Sequence, residues 1–171
     1  MKEAQAASEF DRIDSTTRPV LIFPGLRDFY DRMREMAYAT MRVGFGLIMM
    51  THGVPKVFGL PHGTMANPLA VTTSLIENVL HLPAAAALAY FAGLLETFGG
   101  LAIAAGLGTR FLGLVFTIYL AVIAYVMGSK FGFPWGDRGA EYPILWGLMA
   151  FYITFYGGGR YSVDWKIGRE L

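Results

Sequence analysis

The sequence contains no cysteine among its 171 residues. Disulfides, thiol–disulfide exchange, iron–sulfur ligation and cysteine-held zinc are therefore excluded. Charge is scarce too: 16% of residues are Asp, Glu, Lys or Arg, against roughly 25% in soluble domains. The net charge of +1 gives no basic excess for a phosphate backbone, so no nucleic-acid partner is expected. The three histidines are His52, His62 and His81, and only His52 falls in a long apolar stretch. That excludes a haem held between two membrane histidines, and no cluster of His, Asp and Glu resembles a transition-metal site. The glycine-rich runs lack the strand–turn–helix context and the lysine of a phosphate loop. No nucleophile–base constellation stands out. No apolar run precedes Arg18, so no cleavable signal peptide is expected and the first membrane helix serves as its own insertion signal.

What is abundant is apolar sequence. Hydrophobic residues make up 54% of the chain, and they concentrate in four long segments, which marks an integral membrane protein rather than a soluble one with a rich core. The segments predict helices over 36–58, 84–107, 111–127 and 141–156. The fold class expected is all-α, a four-transmembrane-helix bundle over residues 36–160. An N-terminal arm, residues 1–35, precedes it and a tail, residues 161–171, follows. Within the arm, Leu26, Phe29, Tyr30 and Met33 share one helical face, which predicts a short amphipathic helix at the membrane surface, with a solvated entry segment as the alternative. Residues 70–80 of the long second loop predict another amphipathic helix. Four crossings place both termini on one side. That side carries eleven of the fourteen Lys and Arg residues, and the other carries Lys56, Lys130 and Arg138. Both termini are thus expected to be cytoplasmic.

One acid interrupts the second segment. Residues 84–107 hold a single charge, Glu96. Twelve residues in from Ala84, it lies ~18 Å deep, near the middle of a ~30 Å hydrocarbon core. An acid there costs roughly 2.5–3.5 kcal/mol on insertion scales and must have a partner, a proton or a task. With Phe58 and Ala84 aligned at the outer interface, Lys56 lies ~3 Å deep, His52 ~9 Å and Arg42 ~24 Å. Arg42, permanently charged and with a fork that matches a carboxylate, is the expected ion-pair partner of Glu96. Lys56 is expected to snorkel to the outer rim, where Glu141 lies at a similar level. Two readings of the Arg42–Glu96 pair stay open: a device that fixes helix register, or a proton-relay or ligand-binding group. His52 and Lys56, four residues apart, share a face that suits a quinone oxygen. Trp135, Tyr142 and Trp146 serve either as interfacial aromatics or as walls for a flat lipid-soluble ring.

These residues, taken in order, resemble the DoxX family of small four-helix membrane proteins. The resemblance runs through Arg42, Gly46, His52-Gly53, Lys56 and Phe58-Gly59, then Glu96, Gly99-Gly100 and Gly106 to Arg110. It continues through Gly139-Ala140-Glu141-Tyr142 and closes on Gly159-Arg160-Tyr161-Ser162-Val163-Asp164. It spans about residues 38–164; the arm and the long 59–83 loop depart from the family's compact pattern. The resemblance implies a bacterial cytoplasmic (inner) membrane protein. A related subunit belongs to a thiosulfate:quinone oxidoreductase, and other members are linked to quinone or oxidative stress. The implied function is a redox-associated subunit binding quinone or lipid, with His52, Lys56, Glu96, Trp135 and Tyr142 as quinone-site candidates. No other cofactor, and no metal, is implied. The alternative is a non-catalytic accessory subunit that stabilises a larger membrane complex. Membrane lipid, other membrane subunits or further copies of this chain are the expected partners. Without cysteine, this chain cannot itself carry sulfur as a persulfide.

Overall fold

The computed structural model describes residues 21–170; residues 1–20 of the arm lie outside the described residues. Every regular element described is helical. A short 3₁₀ turn at Pro24–Leu26 leads into α1, Arg27–Phe58. Helix α2, Pro68–Leu75, opens on Asn67, whose side chain accepts the Ala70 N–H, and runs into a wider π-helical turn at Ile76–Leu80. Helix α3 covers Ala85–Ala105 and contains a second π-helical turn at Leu95–Gly99. Helix α4 is Thr109–Phe131, α5 is Glu141–Tyr156 and the single-turn α6 is Val163–Ile167. The described residues fall into two compact units, 21–34 and 35–170, and the stretch expected to form a surface helix supplies the first turns of α1.

Helix α1 begins at Arg27, before the Met36 start expected from apolarity, and α4 outruns its apolar core at both ends. Hydropathy marks where side chains change character. The backbone hydrogen-bond ladder continues for as long as the residues tolerate helix, and Arg, Met and Glu favour it. Asp28 near the start of α1 and Lys56 near its end both complement the helix dipole.

Helices α1 and α3 pack antiparallel with backbones almost touching. A Cβ on Gly53 would lie 2.5 Å from both the Thr97 nitrogen and its Oγ1, and one on Gly100 would lie 2.7 Å from the Gly46 carbonyl oxygen. Two turns separate Gly46 from Gly53, so both open the same face of α1. Gly53→Ala is therefore expected to force the helices apart and cost about 1–3 kcal/mol. Gly44→Ala, with nothing within 4 Å of its Cβ, is the control, expected to leave the melting temperature in mild detergent unchanged or raised.

Helices α4 and α5 pair in the same antiparallel way. A Cβ on Gly113 would lie 2.9 Å from the Thr154 nitrogen. The core sits where α1, α3, α4 and α5 meet: Phe45, Met49, Ile103, Phe116, Leu120, Ala150 and Ile153 are all buried. The Phe45 and Phe116 rings meet edge to face at 5.4 Å. Outward, the helices are apolar as well: Phe91, Phe98, Ile118, Tyr125, Leu148 and Phe155 are each more than half exposed. Charge lies inside and hydrocarbon outside, the reverse of a water-soluble bundle. Among the described residues, α3 and α4 are long and apolar enough to cross a membrane.

Candidate functional site

The site is built on the π-helical turn of α3. The Thr97 hydroxyl donates to the Gly93 carbonyl at 2.7 Å inside this widened turn, next to Glu96. Such turns recur at functional positions because they re-aim a side chain that a regular helix would place elsewhere. Glu96 is 3% exposed. The Lys56 Nζ donates to both of its oxygens, at 2.7 Å to Oε1 and 2.5 Å to Oε2. The Tyr119 hydroxyl from α4 donates to Oε1 at 2.5 Å. Three helices thus contribute one cation, one carboxylate and one phenol to a single buried cluster.

Arg42 does not pair with Glu96. It is 1% exposed and donates to the carbonyls of Ile103 and Ala104 at the end of α3, and to that of Tyr161. Two physical reasons account for the difference. First, the glycine contacts fix a register in which Gly53 faces Glu96 and Thr97, and Lys56 faces Gly93. Phe58 then lies opposite Phe91 rather than Ala84, an offset of seven residues or ~10 Å. Second, helical side chains lean toward the N-terminus of their helix, so Lys56 reaches inward while Arg42 reaches away from Glu96. Lys56 is accordingly no rim residue: its side chain is 13% exposed. Glu141, its suggested outer partner, accepts the Trp135 backbone N–H at 3.0 Å.

The other quinone-site candidates make no hydrogen bond to this cluster among the described residues. His52 is turned outward, its ring centroid 4.9 Å from that of His62. Trp135 and Tyr142 are exposed and pack against each other at 5.6 Å. The structure therefore joins Lys56 and Glu96 by hydrogen bonds and does not so join His52, Trp135 or Tyr142 to them. Tyr119 is the residue that sequence reasoning missed. Its signal was a phenol in the middle of an apolar helix, indistinguishable by composition from a packing aromatic.

Lys56 and Tyr119 also face a cavity of about 260 Å³. Its walls are otherwise mostly apolar and come from α2 and its π turn, α3 and α4, including Leu75, Leu80, Phe91, Ala92, Ile123 and Val126. Both π-helical turns border it. Two of the three Lys56 N–H donors are taken by Glu96, which leaves one for a ligand oxygen, and the Tyr119 oxygen retains acceptor capacity.

Residues 37–129 match the DoxX family. The chain belongs to the DoxX family. No curated protein and no solved structure matches it. The DoxX match takes in Arg42, Lys56, Glu96 and Tyr119, so the whole cluster lies inside the family region, and it ends before α5 and the closing 159–164 segment. With its outward apolar faces, this DoxX chain is a membrane protein.

Proposed function

We propose that this DoxX-family protein binds the head group of a quinone in the α2–α3–α4 cavity, as a redox-associated subunit of a larger membrane assembly. The observation that carries the reading is the Lys56–Glu96–Tyr119 cluster at the polar end of an apolar cavity. A quinone carbonyl would accept the remaining Lys56 N–H, and a quinol hydroxyl would donate to the Tyr119 oxygen. Drug-sized ligands occupy roughly 300–1,000 Å³, so a cavity of about 260 Å³ suits a ring with its tail in lipid. The same reading has α1, α3, α4 and α5 each crossing a bacterial inner membrane, with both termini cytoplasmic. The eleven-to-three division of Lys and Arg supports that orientation.

The test is solvent extraction of protein purified in mild detergent, with quinone identified by mass spectrometry. Wild type is expected to carry quinone. Ala92→Phe, which fills the cavity without touching the ion pair, is expected to lower its quinone content about tenfold or more with the melting temperature retained. Wild-type protein without quinone would overturn the reading. A second reading, an accessory subunit that only braces its complex, is favoured by the saturation of Glu96 within the chain itself. On that reading, Ala92→Phe leaves partner retention and complex turnover unchanged.

A further inference from the structure

The opposite end of the bundle holds a second, larger cavity of about 580 Å³, lined among others by Glu35, Arg110, Tyr156, Arg160, Trp165 and Arg169. It lies at the start of α4 and the end of α5, twelve residues or ~18 Å along α4 from Val122 in the first cavity. At that level a membrane helix meets the headgroup region.

The acids around this cavity are already satisfied by the chain. Asp164 accepts from the Gly108 and Thr109 backbone N–H groups, each at 2.8 Å, and from the Thr109 hydroxyl at 2.7 Å. Glu170 accepts from Arg110 at 2.5 Å and from the Gly158 N–H at 3.0 Å. Glu35 accepts the Tyr156 hydroxyl at 2.8 Å. Arg110 in turn spends its guanidinium on Glu170 and on the carbonyls that end α5, such as Phe155 at 2.6 Å. The cations left over are Arg160 and Arg169, whose exposed guanidinium groups have no partner among the described residues. Beside them Tyr161, Trp165 and Ile167 are each at least 59% exposed, a polar-aromatic rim of the kind that sits at the membrane interface.

We propose that this cavity is a binding site for the headgroup of an anionic phospholipid. Arg160 and Arg169 clamp the phosphate, and Trp165 lies against the glycerol and upper acyl chain. A free phosphate would satisfy the two arginines but would leave the apolar rim uncovered, and a zwitterionic headgroup would bring its own cation toward the two unspent guanidinium groups. The lipid completes both parts of the site.

Native mass spectrometry of delipidated full-length protein, titrated with phosphatidylglycerol, phosphatidylcholine or inorganic phosphate, tests this. Wild type is expected to hold one phosphatidylglycerol in preference to phosphatidylcholine. Arg160→Gln/Arg169→Gln is expected to weaken that binding about thirty-fold, with quinone content unchanged, and Arg160→Lys/Arg169→Lys to recover most of it. Equal binding of the two lipids, or undiminished phosphatidylglycerol binding by the Gln pair, would overturn the proposal. So would inorganic phosphate occupying the site as well as the lipid does. Both arginines are exposed and make no side-chain bond among the described residues, so the folded state serves as its own control through an unchanged melting temperature.

Discussion

Glu96→Leu is expected to destabilise the protein by about 3–5 kcal/mol. The substitution removes the acceptor of two Lys56 hydrogen bonds and of the Tyr119 hydroxyl. An ammonium whose side chain is 13% exposed is then left without its counter-charge in mostly apolar surroundings. The loss measured is the cost of that stranded cation more than the worth of the pair. The triple variant Lys56→Met/Glu96→Leu/Tyr119→Phe removes every polar member at once with similar volumes. It is expected to recover most or all of the loss, because an apolar replacement of a buried pair is often neutral. Thermal unfolding in mild detergent gives the stabilities, and quinone extraction gives the second readout. A recovered fold with lost quinone is the expected signature of a cluster kept for its ligand. A triple variant as unstable as Glu96→Leu would show that the cluster holds the helices in register.

The apolar segments made the helices legible in the sequence, and the single acid at Glu96 made the site legible. Apolar composition is a local property, and a carboxylate amid 24 residues without another charge is conspicuous under any packing. The partner of Glu96 was not legible, because partnership depends on register. Register depends on where two backbones touch, which Gly46, Gly53 and Gly100 decide. Those glycines stand plainly in the sequence, but which one faces which is fixed only when the helices dock. Aligning the two helix ends moved Lys56 by ~10 Å, enough to give its carboxylate to Arg42. The direction of side chains added to the error, since depth was counted at Cα while Lys56 reaches several ångströms further inward. Tyr119 was illegible for a different reason: in α4 it is one aromatic among several, and only contact distinguishes a hydrogen-bonded phenol from a packing ring. The second loop was easier, because residues 70–80 alternate apolar and polar groups at helical spacing, and α2 with its π turn forms there.

Arg42→Met is expected to cost about 2–4 kcal/mol, and to do so at the other end of the bundle from Glu96. The Ala104 and Tyr161 carbonyls, both part-buried, each lose a donor at 2.8 Å, at a cost toward the lower end of the about 1–3 kcal/mol of a fully buried acceptor left unsatisfied. The Ile103 carbonyl is spared the worst, because it still accepts the Gly106 N–H at 3.0 Å. Part of the loss is offset by removing a charge that is 1% exposed and whose Nε has no partner among the described residues. Arg42→Lys is not expected to rescue it. The guanidinium serves α3 with Nη1 and the Tyr161 carbonyl with Nη2, and a single ammonium cannot span both. Among the described residues, the hydrogen bonds that then tie the closing segment to the α3–α4 turn are those of Asp164, whose N–H donates to the Gly106 carbonyl at 2.9 Å and whose carboxylate caps α4. Limited proteolysis is therefore expected to cut between Tyr156 and Ser162 well before the rest of the bundle, with the fragments read by mass. Quinone content should be untouched in the surviving protein. Had Arg42 been the partner of Glu96, the same substitution would strand the carboxylate and empty the cavity, so the two readouts together separate a latch at the α3–α4 turn from a member of the site.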